Sequence, residues 1–176
     1  MTVHDAEVRE HQGAPTQFIN GRPHPGLAFF FARVKDSADD IRRFADAGIH
    51  LFSGCFGVGR WDDGRWNFDG ARELFDYVIA ANPRALILPR VGVHWASRPW
   101  SETHPDEIQV DVHPRTGVRE QARWFSFSSP TARRVFGEAL REFIRDCETR
   151  YGDHTIGYHL IAGDSGECSY GWHPAL

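Results

Sequence analysis

Lysine is nearly absent from this sequence. It has 20 basic residues, and one of them is Lys35, which leaves 19 arginines. Acidic residues lie between the arginines, and the formal net charge is -4. The sequence therefore lacks the basic stripe that nucleic-acid-binding proteins present, and we expect no nucleic-acid partner. Because arginine is so abundant, abundance alone assigns no role to any one of them.

Cysteine is also scarce, and long hydrophobic runs are missing. Cys55, Cys147 and Cys168 are odd in number and lack C-x-x-C spacing, which excludes a disulfide framework and a zinc knuckle. The longest apolar run, 27–32, is far too short to span a bilayer, and the first twenty residues contain no apolar signal segment. We expect a cytoplasmic protein with no membrane partner and no cofactor.

Apolar and aromatic residues are plentiful enough to form a core. They make up 41% and 13% of the chain, which excludes a disordered protein. Residues 1–17 are predicted to be a polar arm and 18–176 a single partial barrel domain. The Asn20-Gly21 pair, between short extended pieces, predicts a small hairpin at the start of that domain.

An alternation of strands and helices follows the hairpin. Strands are predicted at 27–34, 49–53, 85–93 and 155–162, as continuous apolar runs. Three helices are predicted between them, beginning at the capping residues Ser37, Asp69 and Ser129. Each helix has an apolar stripe at helical spacing, such as Ala71, Leu74, Phe75 and Val78 in the second.

Continuous hydrophobic strands that alternate with helices indicate an α/β fold with a parallel sheet. The turn at 32–36 contains no glycine, which favours a barrel over a doubly wound nucleotide-binding sheet. A (β/α)8 barrel needs about 250 residues. We therefore predict the N-terminal half of a (β/α)8 (TIM) barrel, about four parallel strands with three helices. Either the C-terminal half is missing, or two half-barrels self-associate through their open sheet edges.

All six tryptophans follow predicted strands, where barrel enzymes build their active sites. They are Trp61, Trp66, Trp95, Trp100, Trp124 and Trp172. Indole faces stack well on pyranose rings, which predicts an oligosaccharide or glycoside substrate, with Trp61, Trp95 and Trp172 among its contacts. The alternative is that long loops need small cores of their own. The longest such loop, 94–128, has no clear periodicity and is predicted to be functional.

Polar residues at the predicted strand ends are the candidates for substrate contacts. Arg90 and His94 end the third strand and suit hydrogen bonds to sugar hydroxyls, although Arg90 would equally pair with a carboxylate inside the barrel. A metal site built from His94, His159, Asp164 and Glu167 matches no compact ligand spacing, so no metal is predicted.

Glu167 follows the fourth predicted strand on a glycine-rich turn among aromatic residues. Such surroundings raise the pKa of a carboxyl group and suit it to act as an acid at neutral pH. The alternative is an ordinary solvated glutamate in a loop.

Five segments together resemble the beta-galactosidase-like glycoside hydrolases of the large retaining barrel clan. They are FINGRP (18–23), WDDGRWNFD (61–69), LILPRV (86–91), SFSS (126–129) and YGDHTIGYHLIAGDSGE (151–167). The resemblance implies that Glu167 is the catalytic acid/base. It also implies a nucleophilic glutamate after the seventh strand, which this sequence does not reach, so the complete protein is expected to be a glycosidase and these 176 residues alone are expected to be inactive.

The sequence departs from that clan on both sides of Glu167. The clan places an asparagine before the glutamate to hold the sugar 2-hydroxyl, whereas Gly166 stands here. Similar sequences place a tryptophan after it, whereas Cys168 stands here. Asp164 or His159 would have to supply the missing contact, although His159, in mid-strand, also fits a hydrogen-bonded interior residue.

Overall fold

The computed structural model describes residues 3, 5–31, 34–57, 60–62, 65–92, 98–113 and 115–161. The strands are β1 (Ala6–His11), β2 (Ala14–Ile19), β3 (Arg22–His24), β4 (Ala28–Phe31), β5 (Leu51–Gly57), β6 (Arg60–Asp62), β7 (Arg65–Asn67), β8 (Leu86–Gly92), β9 (Ile108–Val112), β10 (Arg119–Phe125) and β11 (His159–Ile161). The helices are α1 (Ala38–Asp46), α2 (Asp69–Ala81), α3 (Arg98–Thr103) and α4 (Pro130–Tyr151), with 3-10 turns at Val34–Asp36 and Pro105–Glu107.

The N-terminal strands β1, β2 and β3 form an antiparallel sheet in that order. Asn20 and Gly21 both have positive φ, 51° and 72°, which is the geometry of a tight hairpin turn and confirms the predicted hairpin. A second tight turn, with Gln12 at φ 52°, joins β1 to β2. The segment expected to be a polar arm thus contains β1 and most of β2, because glutamine at a turn gives a weaker sequence signal than asparagine.

Four parallel strands form the central sheet, in the order β11-β8-β5-β4. This confirms the predicted parallel α/β architecture and its four strands. The first and fourth strands are shorter than predicted, and Thr155 contributes only an isolated bridge to Ile87.

Helices α1, α2 and α4 are the three predicted between the strands. Ser129 caps α4, since its Oγ accepts a hydrogen bond from the Ala132 N–H at 2.9 Å. The predicted cap of α2 was wrong by one residue: Phe68 occupies the N-cap position, Asp69 is the first helical residue, and Asn67 Oδ1 accepts a hydrogen bond from the Asp69 N–H at 2.8 Å. An asparagine two positions upstream supplies the same acceptor as a capping aspartate.

All three of these helices pack against one face of the central sheet. The buried residues of this core are Phe31, Ile41, Phe52, Phe56, Phe68, Ala71, Phe75, Val78, Ala85, Ile87, Val91, Ala139, Phe143, Cys147 and Tyr151. They include Ala71, Phe75 and Val78 of the predicted α2 stripe and Ala139, Phe143 and Cys147 of the predicted α4 stripe. No helix in the described part of the chain is long and apolar enough to cross a membrane.

The loop between β8 and α4 contains regular structure that the sequence did not predict. It contains α3 and the antiparallel pair β9–β10, and it has a core of its own. Trp100 is 1% exposed and Trp124 is 5% exposed, and Trp66 packs on Phe136 with ring centroids 5.3 Å apart. For Trp100 and Trp124 the loop-core alternative is confirmed and the sugar-stacking interpretation is wrong, whereas Trp66 is only partly buried against the same core. The loop needs large apolar side chains because the main core does not reach it.

Candidate functional site

One row of side chains runs across the sheet on the face opposite the helices. Cys55 on β5 is in register with Arg90 on β8, and Arg90 is in register with His159 on β11. Residues in register on parallel strands point to the same face, while Phe56 and Val91, one position on, point into the helix-covered core. The three polar residues therefore lie abreast near the carboxyl ends of their strands.

The lower part of this open face is closed by the N-terminal sheet. Ile19 packs with Leu51 and Leu86, the first residues of β5 and β8, and all three are buried. Two residues further along β5 and β8, the Ser53 hydroxyl donates a hydrogen bond to the Leu88 carbonyl at 2.8 Å. Polar side chains available for a ligand are thus confined to the upper part of the face, as expected for a barrel whose site lies at the carboxyl ends of its strands.

Arg90 leans across the sheet toward β4. Its guanidinium carbon lies 5.2 Å from the centroid of the Phe30 ring, in a cation–π arrangement. Its Nε is buried and has no hydrogen-bond partner in the described part of the chain. No carboxylate of the described residues pairs with Arg90. The ion pair inside the barrel, which was the alternative role for Arg90, therefore has no partner among these residues.

His159 is exposed on the same face and is held by the residues just before it. Gly157 adopts φ 145°, which only glycine adopts readily, and the Tyr158 hydroxyl donates to Glu148 Oε1 on α4 at 2.8 Å. Burial, reinforced by that hydrogen bond, raises the pKa of Tyr158. The tyrosine thus anchors the start of β11 to α4, and His159 follows on the opposite, open face.

The remaining predicted site residues lie wholly or partly outside the described part of the chain. The backbone of Trp61 belongs to β6, but its side chain is not described. His94, Trp95, Asp164, Gly166, Glu167, Cys168 and Trp172 are all outside the described residues. Among the residues that are described, no three His, Cys, Asp or Glu side chains are grouped to hold a metal ion.

Phe30 and Cys55 belong to this face, and sequence reasoning missed both. Cys55 is exposed, and Phe30 is 47% exposed in spite of its apolar ring. The sequence of β5 contains the pattern that identifies this face, because buried Phe52 and Phe56 alternate with Ser53 and Cys55. Reading the strands as uniformly hydrophobic hid the small, more polar residues that share the face of Arg90.

Comparison with solved structures identifies proteins that share this fold. No model of a known protein family matches the chain, and no curated protein matches it. The polyextremophilic beta-galactosidase from the Antarctic haloarchaeon Halorubrum lacusprofundi matches over 77% of this chain and 20% of its own, with a TM-score of 0.51 and 16% identity. The chain therefore spans about a fifth of the length of that beta-galactosidase.

Two further solved structures match similar shares of the chain. A GH42 beta-galactosidase from G. stearothermophilus matches 76% of this chain and 20% of its own, with a TM-score of 0.48 and 18% identity. A noncanonic maltogenic alpha-amylase from Thermotoga neapolitana matches 81% of this chain and 40% of its own, with a TM-score of 0.44 and 13% identity. The likeness to the haloarchaeal enzyme, at so low an identity, shows the fold: the predicted α/β half-barrel, with its N-terminal antiparallel strands, is confirmed.

Proposed function

We propose that this chain forms the acid/base half of the active site of a retaining, beta-galactosidase-like glycoside hydrolase. The observation that carries the proposal is the register of β11 beside β8, with His159 paired to Arg90. The chain leaves β11 at Ile161, and Glu167 follows six positions later in the sequence. In barrel enzymes, segments that follow the carboxyl ends of the strands carry the catalytic groups.

Glu167 is proposed to act first as an acid and then as a base. It protonates the glycosidic oxygen while a second carboxylate, about 5 Å away in retaining enzymes, attacks the anomeric carbon. It then removes a proton from the water that releases the sugar from the covalent intermediate. The second carboxylate is proposed to come from a later strand of a complete barrel, since none of the four parallel strands described here contains aspartate or glutamate.

Arg90 and His159 are proposed to hold the sugar in this site. Both lie at the same end of the sheet, and both offer N–H donors to a ligand above the open face. His94, Trp95, Trp61, Asp164 and Trp172 are proposed as further contacts, because the sequence places them all after the ends of strands. The stacking role proposed for the tryptophans is now confined to Trp61, Trp95 and Trp172.

The test is hydrolysis of aryl β-galactosides by a protein with the complete barrel. Glu167→Gln should slow hydrolysis of a substrate with a poor leaving group by about 10²–10⁴-fold, the usual contribution of a general acid. The leaving group of a dinitrophenyl galactoside needs no protonation, so Glu167→Gln should slow the bond-breaking step of this substrate much less. Added azide should restore the turnover of the variant. Glu142→Gln, at an exposed position of α4, is the matched control and should leave both rates unchanged.

Two outcomes would contradict this proposal. Turnover of an aryl galactoside by the purified 176-residue chain would show that no second half-site is required. Sugar binding that survives Glu167→Gln, in a complete protein that hydrolyses nothing, would instead favour a non-catalytic carbohydrate-binding or scaffold domain.

A further inference from the structure

The open face of the sheet carries positive charge without a negative counterpart. Its ionisable side chains in the described strands are Cys55, Arg90 and His159, in one row. None of the four parallel strands contains an aspartate or a glutamate. A ligand bound here therefore meets hydrogen-bond donors from the strands and no carboxylate acceptor.

Arg90 is the residue of this row that has a buried donor without a hydrogen-bond partner in the described structure. Its Nε is buried and has no hydrogen-bond partner in the described structure, and its guanidinium rests over the Phe30 ring at 5.2 Å. Burying a donor without a partner costs free energy, and the cost is larger when the group is charged. The Phe30 ring offsets part of the cost but accepts no conventional hydrogen bond, so the N–H groups of Arg90 remain available to an incoming acceptor.

The type of ligand follows from Arg90, because its guanidinium donates hydrogen bonds and accepts none. A neutral sugar hydroxyl carries a proton that needs an acceptor, whereas an ionised carboxylate only accepts. Its two oxygens also match the planar fork of a guanidinium, which binds carboxylates through two parallel hydrogen bonds. The geometry points to a sugar that bears a carboxylate, a uronic acid such as galacturonate, as the ligand of Arg90, with His159 beside it as a second donor.

This inference rests on the proposed function, since it names the substrate class of the same sugar site. It differs from that proposal in what it requires of Arg90. A site for a neutral sugar uses Arg90 as a hydrogen-bond donor but does not need its charge. A site for an acidic sugar does, because the cation compensates the charge of the ligand.

The test compares D-galacturonate with D-galactose by isothermal titration calorimetry on the full chain. We expect galacturonate to bind at least about tenfold more tightly, since hydrogen bonds to a charged group are worth about 1.5–3 kcal/mol. Raising the salt concentration should reduce that preference. Arg90→Gln should abolish it, and Arg90→Lys should retain only part of it, because the charge stays while the fork is lost. Arg141→Gln, an equal change of charge on the exposed face of α4, should leave it intact.

The outcomes separate this inference from the proposed function. Equal or tighter binding of galactose by the wild-type chain overturns the inference and leaves the glycosidase proposal standing. An unchanged preference in Arg90→Gln also overturns it. Failure of both sugars to bind overturns the inference, whereas the glycosidase proposal is tested by hydrolysis in the complete protein. A preference for galacturonate that depends on Arg90, in a complete protein that hydrolyses nothing, supports the inference while the glycosidase proposal falls. If Arg90→Gln does not fold, Arg90→Lys and the salt dependence decide.

Discussion

Asn82 presents its amide nitrogen to His50, with 3.1 Å between Asn82 Nδ2 and His50 Nδ1. The orientation of the amide is fixed because Asn82 Oδ1 accepts a hydrogen bond from the Arg84 N–H at 3.0 Å. His50 Nδ1 must therefore be an acceptor, which requires that nitrogen to carry no proton. His24 has the same requirement, since its Nδ1 accepts a hydrogen bond from the Gly26 N–H at 3.2 Å.

These two histidines should make the protein less stable in mild acid. Burial, and then the charge of Arg84, lower the pKa of His50, while burial, and then His50, lower the pKa of His24. The folded state thus binds fewer protons than the unfolded chain, whose histidines titrate near 6.5. Stability should therefore be complete above pH 6.5 and should fall as the pH drops from 6.5 through the lowered folded-state values.

Urea denaturation at pH 7.5 and pH 5.5 measures this loss. His50→Gln should lose less stability between the two pH values than the wild-type chain does. His11→Gln, on β1, where the ring packs edge-on against Phe18, is the control and should lose as much stability as wild type. An equal loss in His50→Gln and in wild type would contradict the prediction.

The strand-and-helix order was predictable because the repeating pattern of apolar residues reports burial directly. The same pattern did not reveal which residues share a face of the sheet, because reading the strands as continuously apolar hides the alternation that β5 contains. Cys55 and Phe30 escaped notice for this reason, whereas Arg90 stood out as a charge in an apolar run. The pairing of His159 with Arg90 depends on the register of two strands that lie far apart in the sequence, and no local pattern contains that information.

The tryptophans show the limit of reasoning from composition. Their position after strand ends was read correctly, but position does not say whether an indole faces a ligand or a neighbouring loop. Trp100 stacks on His104 with ring centroids 4.6 Å apart and meets Phe136 edge-on at 5.1 Å. The contact with Phe136 comes from α4 packing on α3, which is tertiary packing that the sequence pattern did not signal.

Trp100→Ala should therefore unfold the loop core without removing a sugar contact. We expect a loss of about 3–5 kcal/mol, the usual cost of truncating a buried tryptophan. Chemical denaturation would measure it, and Val118→Ala, at a position 52% exposed, should cost little. A Trp100→Ala chain of wild-type stability that had lost sugar binding would return Trp100 to the list of ligand contacts.

Arg72 joins α2 to α4 through a bidentate ion pair. Its Nε and Nη2 donate to the two carboxylate oxygens of Asp146 at 2.9 and 2.7 Å, and Asp146 is only 17% exposed. The hydrogen bonds from Arg72 hold the pKa of Asp146 below its ordinary value. Arg72→Ala should cost about 2 kcal/mol, less than the 3–5 kcal/mol for breaking a fully buried pair, because Arg72 is partly exposed and Arg150 also binds Asp146.

Arg42→Ala is the matched control for that prediction. Arg42 pairs with Asp39 at 2.7 Å on the surface of α1, three residues away in the sequence, as Arg72 also pairs with Asp69. Exposed pairs of this kind contribute about 0.2–1 kcal/mol. The two variants should therefore lose clearly different amounts of stability, as measured by urea denaturation. Equal losses would mean that the ion pair between α2 and α4 adds no more stability than a surface pair.

Gly54 and Gly137 should respond in opposite directions to replacement by alanine. A Cβ on Gly54 would overlap the ring of Phe31, which is 2% exposed and fixed in the core between β4 and the helices. Since that ring has no free space to enter, Gly54→Ala should cost about 1–3 kcal/mol or more. A Cβ on Gly137, inside α4, meets no atom within 4 Å, so Gly137→Ala should raise stability by about 0.8–1 kcal/mol through helix propensity alone. Thermal denaturation of the two variants beside wild type measures both signs, and a neutral Gly54→Ala would mean that β4 and β5 are not packed as closely as the register of Phe31 with Gly54 requires.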